Sequence, residues 1–136
     1  MAALICVLER DPLTLKLIGE VLEGEGFMTL RLSETDGVLD VIKDQHPNFL
    51  VLDTTLETED AGWTLLEAIR SDADTRELPI VVCTSDVAVA EKHPMLVAKS
   101  PETSILIKPF EPQALIRKIR NALAPLPPDA RRPSPW

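Results

Sequence analysis

Residues 3–12 read ALICVLERDP: six apolar residues in succession, then Glu9, Arg10, Asp11 and Pro12. A strand with one wet face alternates apolar and polar residues, whereas a continuous apolar run belongs to a strand buried on both faces, as in a parallel sheet covered by helices on each side. Similar runs end at Asp53 (FLVLD, 49–53), Thr84 (PIVVCT, 79–84) and Lys108 (SILIK, 104–108), and Phe27–Leu32 suits a further strand. Helical patterns separate these runs. Asp11 is the expected cap of a helix with Pro12 in its first turn and Leu13, Leu17, Ile18, Val21 and Leu22 on one face, ended by Gly24 and Gly26. Ser33 with Asp36 suits the start of a second helix carrying Val38, Leu39, Val41 and Ile42, closed by His46-Pro47. Trp63, Leu66 and Ile69 mark a third. A fourth is expected within 86–98, short, kinked or split at Pro94, and Pro112 opens a last one with Leu115, Ile116, Ile119 and Leu123 on one side. The expected fold is α/β: five βα units forming a doubly wound, five-stranded parallel sheet with helices on both faces. Ligands of such sheets lie beyond the carboxyl ends of the strands, at the switch in strand order. That rule directs attention to Glu9-Arg10-Asp11, Asp53, Thr84-Ser85 and Lys108.

Composition narrows the functions. A chain of 136 residues suits one domain with one sizeable core. A formal charge of −8 and a pI near 4.7 argue against nonspecific binding to nucleic acid or anionic membrane. Neither is expected as a partner. No apolar run reaches the roughly 18 residues of a membrane span, and no basic segment with a cleavage site follows Met1. A cytoplasmic location is expected. Cys6 and Cys83 lie within apolar runs and lack metal-ligand spacing, so they read as buried thiols. After Ala124 the segment PLPPDARRPSPW, 125–136, reads as an extended or disordered proline-rich tail on a domain spanning 1–124.

FLVLD with Asp53, PIVVCTS with Thr84 and ILIKPF with Lys108, separated by 31 and 24 residues, together resemble the receiver domain of two-component response regulators. The resemblance covers about residues 3–124 and implies a flavodoxin-like (βα)5 fold. It also implies a phosphoacceptor at Asp53, which takes phosphate from a histidine kinase or phosphotransfer protein as an acyl phosphate. Thr84 matches the switch hydroxyl and Lys108 the phosphate-stabilising cation. Such roles suit phosphoryl transfer, which depends on positioning and on neutralising charge at the phosphoryl oxygens.

The resemblance further implies a magnesium ion held by an acidic pair after the first strand together with the phosphoacceptor. Aligned on Pro12, Glu9 takes the first acidic position and Arg10 the second. The metal ligands reduce to Glu9 and Asp53, a weak or absent site, and Arg10 is expected to pair with one of these carboxylates instead. Glu9, Asp53, Lys108 and Arg10 then sum to zero charge without metal. Asp11 suits a helix cap better than a metal ligand. Two further departures concern switching: Glu57 stands at a proline position in a loop with one apparent extra residue before Gly62, and Ile105 stands at the aromatic switch position. Partners are expected to meet the region 87–123, which also suits a homodimer.

Singly, Asp53 suits a loop cap, Thr84 a satisfied strand end and Lys108 a surface charge; together they converge on one predicted site. His46 and His93 sit beside prolines and read as structural or exposed, and Trp63 and Phe110 as core. A flavin binder would need a hydroxyl-rich phosphate loop where ERDPLT offers only Thr14, and a dehalogenase-type phosphatase would need DxD where Asp53 is followed by Thr54-Thr55. Two functions are left. One is a stand-alone receiver in phosphorelay signalling, with no catalysis beyond phosphotransfer to its own Asp53. The other is a pseudo-receiver that binds proteins without phosphorylation.

Overall fold

The computed structural model describes residues 2–54, 61–86, 88 and 102–123. Strands β1 (Leu4–Leu8), β2 (Met28–Leu32), β3 (Phe49–Asp53), β4 (Ile80–Thr84) and β5 (Thr103–Ile107) form one sheet in the order β2-β1-β3-β4-β5. Every neighbouring pair is parallel. Helices α1 (Pro12–Gly24), α2 (Val38–Gln45), α3 (Ala61–Ser71) and α4 (Pro112–Leu123) cover it.

The apolar runs are continuous because both faces of the sheet are dry. Successive side chains of a strand point to opposite faces. Cys6, Leu8, Leu50, Leu52 and Val82 meet Val38 and Ile42 of α2 and Trp63, Leu66 and Ile69 of α3. Ile5, Val7, Phe49, Val51 and Val81 meet Leu22 of α1 and Leu115, Ile116 and Ile119 of α4. Every residue of β3 and β4 is buried, as the sequence of a doubly wound sheet requires.

Local chemistry sets the helix ends. Asp11 caps α1: its Oδ2 accepts the Thr14 backbone N–H at 3.0 Å and the Thr14 hydroxyl at 2.6 Å, with Pro12 in the first turn. Gly26, at φ +93°, carries the chain out towards β2. The expected start of the second helix is corrected. The helix begins at Val38 after Gly37, which is left-handed at φ +73° and gives no side-chain cap, so Ser33 and Asp36 precede it rather than box it. The Val38 N–H reaches the Thr35 carbonyl at 3.2 Å across that turn, a bend that glycine permits and a side chain would strain. His46, also left-handed at φ +51°, closes α2 by donating its N–H to the Ile42 carbonyl just before Pro47. The expected fourth helix around Pro94, the altered loop at Glu57 and the tail 125–136 lie outside the described residues.

Candidate functional site

The register gathers the strand-end residues. Leu8 pairs with Leu52, Asp53 with Cys83 and Thr84 with Ile107, so Glu9, Asp53, Thr84 and Lys108 share the carboxyl edge of the sheet. Chain order turns around β1, which has β2 on one side and β3 on the other. Two carboxylates stand at that switch point, Glu9 with 5% and Asp53 with 3% of its surface exposed.

Burying two acids side by side requires compensation, and Lys108 supplies it. Its Nζ lies 3.2 Å from Asp53 Oδ1 and 3.4 Å from Glu9 Oε2, after crossing over the end of β4 from β5. The Lys108 backbone N–H donates to the Thr84 carbonyl at 2.8 Å and fixes where the side chain starts; the following bond to Pro109 is cis. Burial alone would lower the Lys108 pKa, yet the charges of Asp53 and Glu9 and their hydrogen bonds hold it above the usual lysine value. Glu9 moves up as well. Burial is the chief cause, followed by the negative charge of Asp53, and attraction to Lys108 only partly offsets them.

The other oxygen of Glu9 is also engaged: Oε1 accepts the Asp11 N–H at 3.3 Å. Glu9 thereby links the turn that opens α1 to the lysine at the end of β5. Asp11 is committed to Thr14, whose hydroxyl and N–H hold its carboxyl below the usual aspartate range, with smaller help from the charges of Lys108 and Arg10. Arg10 itself is exposed on this turn, and the ion pairs resolved at Glu9 and Asp53 run to Lys108. Thr84 is buried at the end of β4, where its Oγ1 accepts the Asp86 N–H at 3.1 Å. Ile105 lies opposite Val82 on β5, half-buried against the core on the α2–α3 side.

Gly62, which the sequence marks only as the residue after the altered loop, also shapes the site. A Cβ on Gly62 would stand 2.5 Å from the Asp53 carbonyl oxygen and 2.6 Å from Thr54 Cα, so only glycine lets the start of α3 lie directly on the exit of β3. The Gly62 N–H donates to the Thr54 carbonyl at 3.2 Å across this contact. A lone glycine beside Trp63 in an amphipathic pattern was the available signal.

The donor chemistry can be compared with that of magnesium, which asks for near-octahedral oxygen ligands and usually takes carboxylates plus waters. Among the described residues no group of three His, Cys, Asp or Glu side chains is placed to hold a metal. Glu9 and Asp53 share Lys108, Asp11 serves the helix cap, and a guanidinium occupies the intervening position in sequence. The described residues do not fit a tight magnesium site.

Comparison with known proteins agrees with the fold. The family described as response regulator receiver domain matches residues 5–120. The DNA-binding response regulator MtrA of Mycolicibacterium smegmatis is 27% identical over 119 residues, which are 88% of this chain and 50% of that protein. The chain thus spans about half the length of that relative. A putative response regulator from Chloroflexus aurantiacus superimposes with a TM-score of 0.79 at 27% identity, covering 92% of this chain and 100% of that one. The receiver domain of sensor histidine kinase PA1611 from Pseudomonas aeruginosa, which carries a magnesium ion in its active-site cleft, superimposes with a TM-score of 0.74. It is 20% identical, covers 89% of this chain and 97% of that one, and shows the fold alone.

Proposed function

The chain belongs to the response regulator receiver domain family of two-component signalling, and from that premise we propose that Asp53 is its phosphoacceptor. The observation that carries this reading is the contact of Lys108 Nζ with Asp53 Oδ1, 3.2 Å long, on a carboxylate buried at the switch point of the sheet. An aspartate carboxylate attacks a phosphohistidine of a histidine kinase or phosphotransfer protein in line. The P–N bond breaks, the imidazole leaves, and an acyl phosphate forms on Asp53. Charge builds on the phosphoryl oxygens during transfer, and a preplaced ammonium stabilises it without reorganising. Lys108 moves from the two carboxylates to a phosphoryl oxygen, while the Thr84 hydroxyl, which accepts from Asp86, donates its own proton to another.

Glu9 and Asp53 form at most a weak magnesium site. The unit 1–124 is the receiver and 125–136 its tail. Downstream proteins, or a second copy, meet the region 87–123, of which 88 and 102–123 are described. Because isoleucine has neither a ring to rotate nor a hydroxyl, Ile105 does not relay the Thr84 movement as an aromatic residue would. The test is incubation with phosphoramidate followed by intact mass. One phosphoryl group is expected on the wild type and none on Asp53→Asn. Absence of label from the wild type, with acyl-phosphate lifetime controlled, would favour the pseudo-receiver reading, to which Arg10 and Ile105 already lend weight.

A further inference from the structure

We propose that phosphoryl acceptance by this chain is independent of divalent metal, because the two carboxylates left at the site already share Lys108 and an arginine, Arg10, stands in sequence where a third acid would complete a metal site. The inference rests on the phosphoacceptor reading of Asp53 and adds to it the means of neutralisation.

Three observations carry it. The two buried carboxylates already hold a cation between them, with Lys108 Nζ 3.2 Å from Asp53 and 3.4 Å from Glu9. Glu9 is engaged at both oxygens, by the lysine and by the Asp11 N–H, so it serves as a positioning residue for Lys108 rather than as a free ligand. Arg10 follows Glu9 directly and lies exposed on the turn whose N–H Glu9 accepts. An arginine is permanently charged and presents a planar fork of donors suited to phosphate oxygens.

The charge balance agrees. Glu9 and Asp53 outweigh Lys108 by one negative charge before transfer, and the carboxylate of Asp11, which feels both Lys108 and Arg10, stands on the same turn. Converting the Asp53 carboxylate to its acyl phosphate adds one negative charge, which the lysine is placed to meet. Exchanging one acid for an arginine shifts the formal charge of the turn by two, the charge of one divalent ion, and weakens its attraction for such an ion.

With phosphoramidate as donor the step balances without metal. An Asp53 oxygen forms a bond to phosphorus, the P–N bond breaks, and the nitrogen of the zwitterionic donor leaves as ammonia with its three protons. Nothing is oxidised or reduced.

The test uses the full chain, its Arg10→Asp variant and the Asp53→Asn control, each incubated with phosphoramidate in excess magnesium or excess chelator. Label is followed by intact mass, and melting temperature is measured under the same metal conditions. The wild type is expected to label at rates within about twofold in the two conditions, with an unchanged melting temperature. The acid of Arg10→Asp completes a third carboxylate, so that variant is expected to label at least tenfold faster with magnesium than with chelator and to melt higher when magnesium is added. Label on the wild type that needs magnesium, or a magnesium-dependent rise in its melting temperature, would overturn metal independence and leave Asp53 as acceptor. Label on neither protein in either condition would overturn the acceptor reading and this inference with it.

Discussion

Glu9 sits in a costly position: buried, facing Asp53, and only partly compensated by Lys108, so its pKa in the folded chain lies above its ordinary value of 4.5. A raised carboxyl pKa means that the folded state holds the proton more tightly than the unfolded state. Ionising Glu9 therefore costs stability, with no cost below 4.5 and a growing cost as pH rises through the folded value. Glu9→Gln removes the charge and lets an amide N–H face Asp53. It is expected to be close to wild type in acid and more stable at neutral pH by on the order of 1 kcal/mol, which urea unfolding of both proteins across that range measures. Asp11 behaves oppositely. Its pKa is lowered by the Thr14 hydroxyl and N–H, so its stabilising effect is present above 3.8 and lost as pH falls through the folded value. Asp11→Ala is expected to lower the melting temperature at neutral pH and Asp11→Asn to retain most of it, since an amide oxygen still caps α1. Asp11, Asp53, Thr84 and Lys108 were legible in the sequence because each stands where an apolar run stops or a helix begins. The hold of Glu9 on Lys108 was not, since the two lie 99 residues apart and only the strand order brings them together.

At the scale of elements, α3 is fixed at both ends by contacts that no periodicity announces. At its start Gly62 lies against the backbone that carries Asp53, and the added methyl of Gly62→Ala would meet backbone atoms at 2.5 and 2.6 Å, which cannot rotate away. That variant is expected to lose about 1–3 kcal/mol of stability. It is also expected to label Asp53 more slowly under conditions where it remains folded, because relief of the clash displaces the nucleophile; labelling rates beside unfolding curves separate the two effects. At its other end Arg70 donates to the carbonyls of Arg76 and Leu78 at 2.8 and 2.7 Å, and to Thr103 Oγ1 from Nε and Nη2 at 3.1 and 2.8 Å. It joins α3, the loop before β4 and the start of β5 at the edge of the sheet away from the site. Arg70→Met leaves those acceptors without it and is expected to cost about 2–3 kcal/mol in urea unfolding, with Arg70→Lys in between. Labelling of folded protein should be unchanged. The five strands, α1 and the last helix were legible from apolar spacing to within a residue or two. The start of α2 was misplaced because Ser33 and Asp36 satisfy a capping pattern, while the backbone turn at Gly37 depends on how the chain leaves β2.

For the whole molecule, Lys108 is a tie across the carboxyl edge of the sheet, from β5 over β4 to the ends of β3 and β1. Parallel order and two dry faces were readable from strands without alternation separated by helical patterns, since a parallel sheet covered on each side buries both faces of FLVLD. Which strands are neighbours was supplied by the fold, and that order turns scattered charges into one cluster. The tie is open to a thermodynamic test. Lys108→Met leaves Glu9 and Asp53 facing each other without the ammonium and is expected to cost about 2 kcal/mol at neutral pH, less than a fully buried pair because 29% of the lysine side chain is exposed. The raised lysine pKa places this contribution below 10.5 and removes it as pH rises through the folded value. Protonation of Glu9 removes its share at the acid end. Between those limits, Lys108→Met made in the Glu9→Gln background should cost less than in the wild type, because one of the two charges the lysine serves is already gone. Urea unfolding of the four proteins is expected to give a coupling on the order of 1 kcal/mol that disappears in acid. Additive costs at neutral pH would mean that Lys108 serves Asp53 alone, and Glu9 would then lose its role as the residue that positions the lysine.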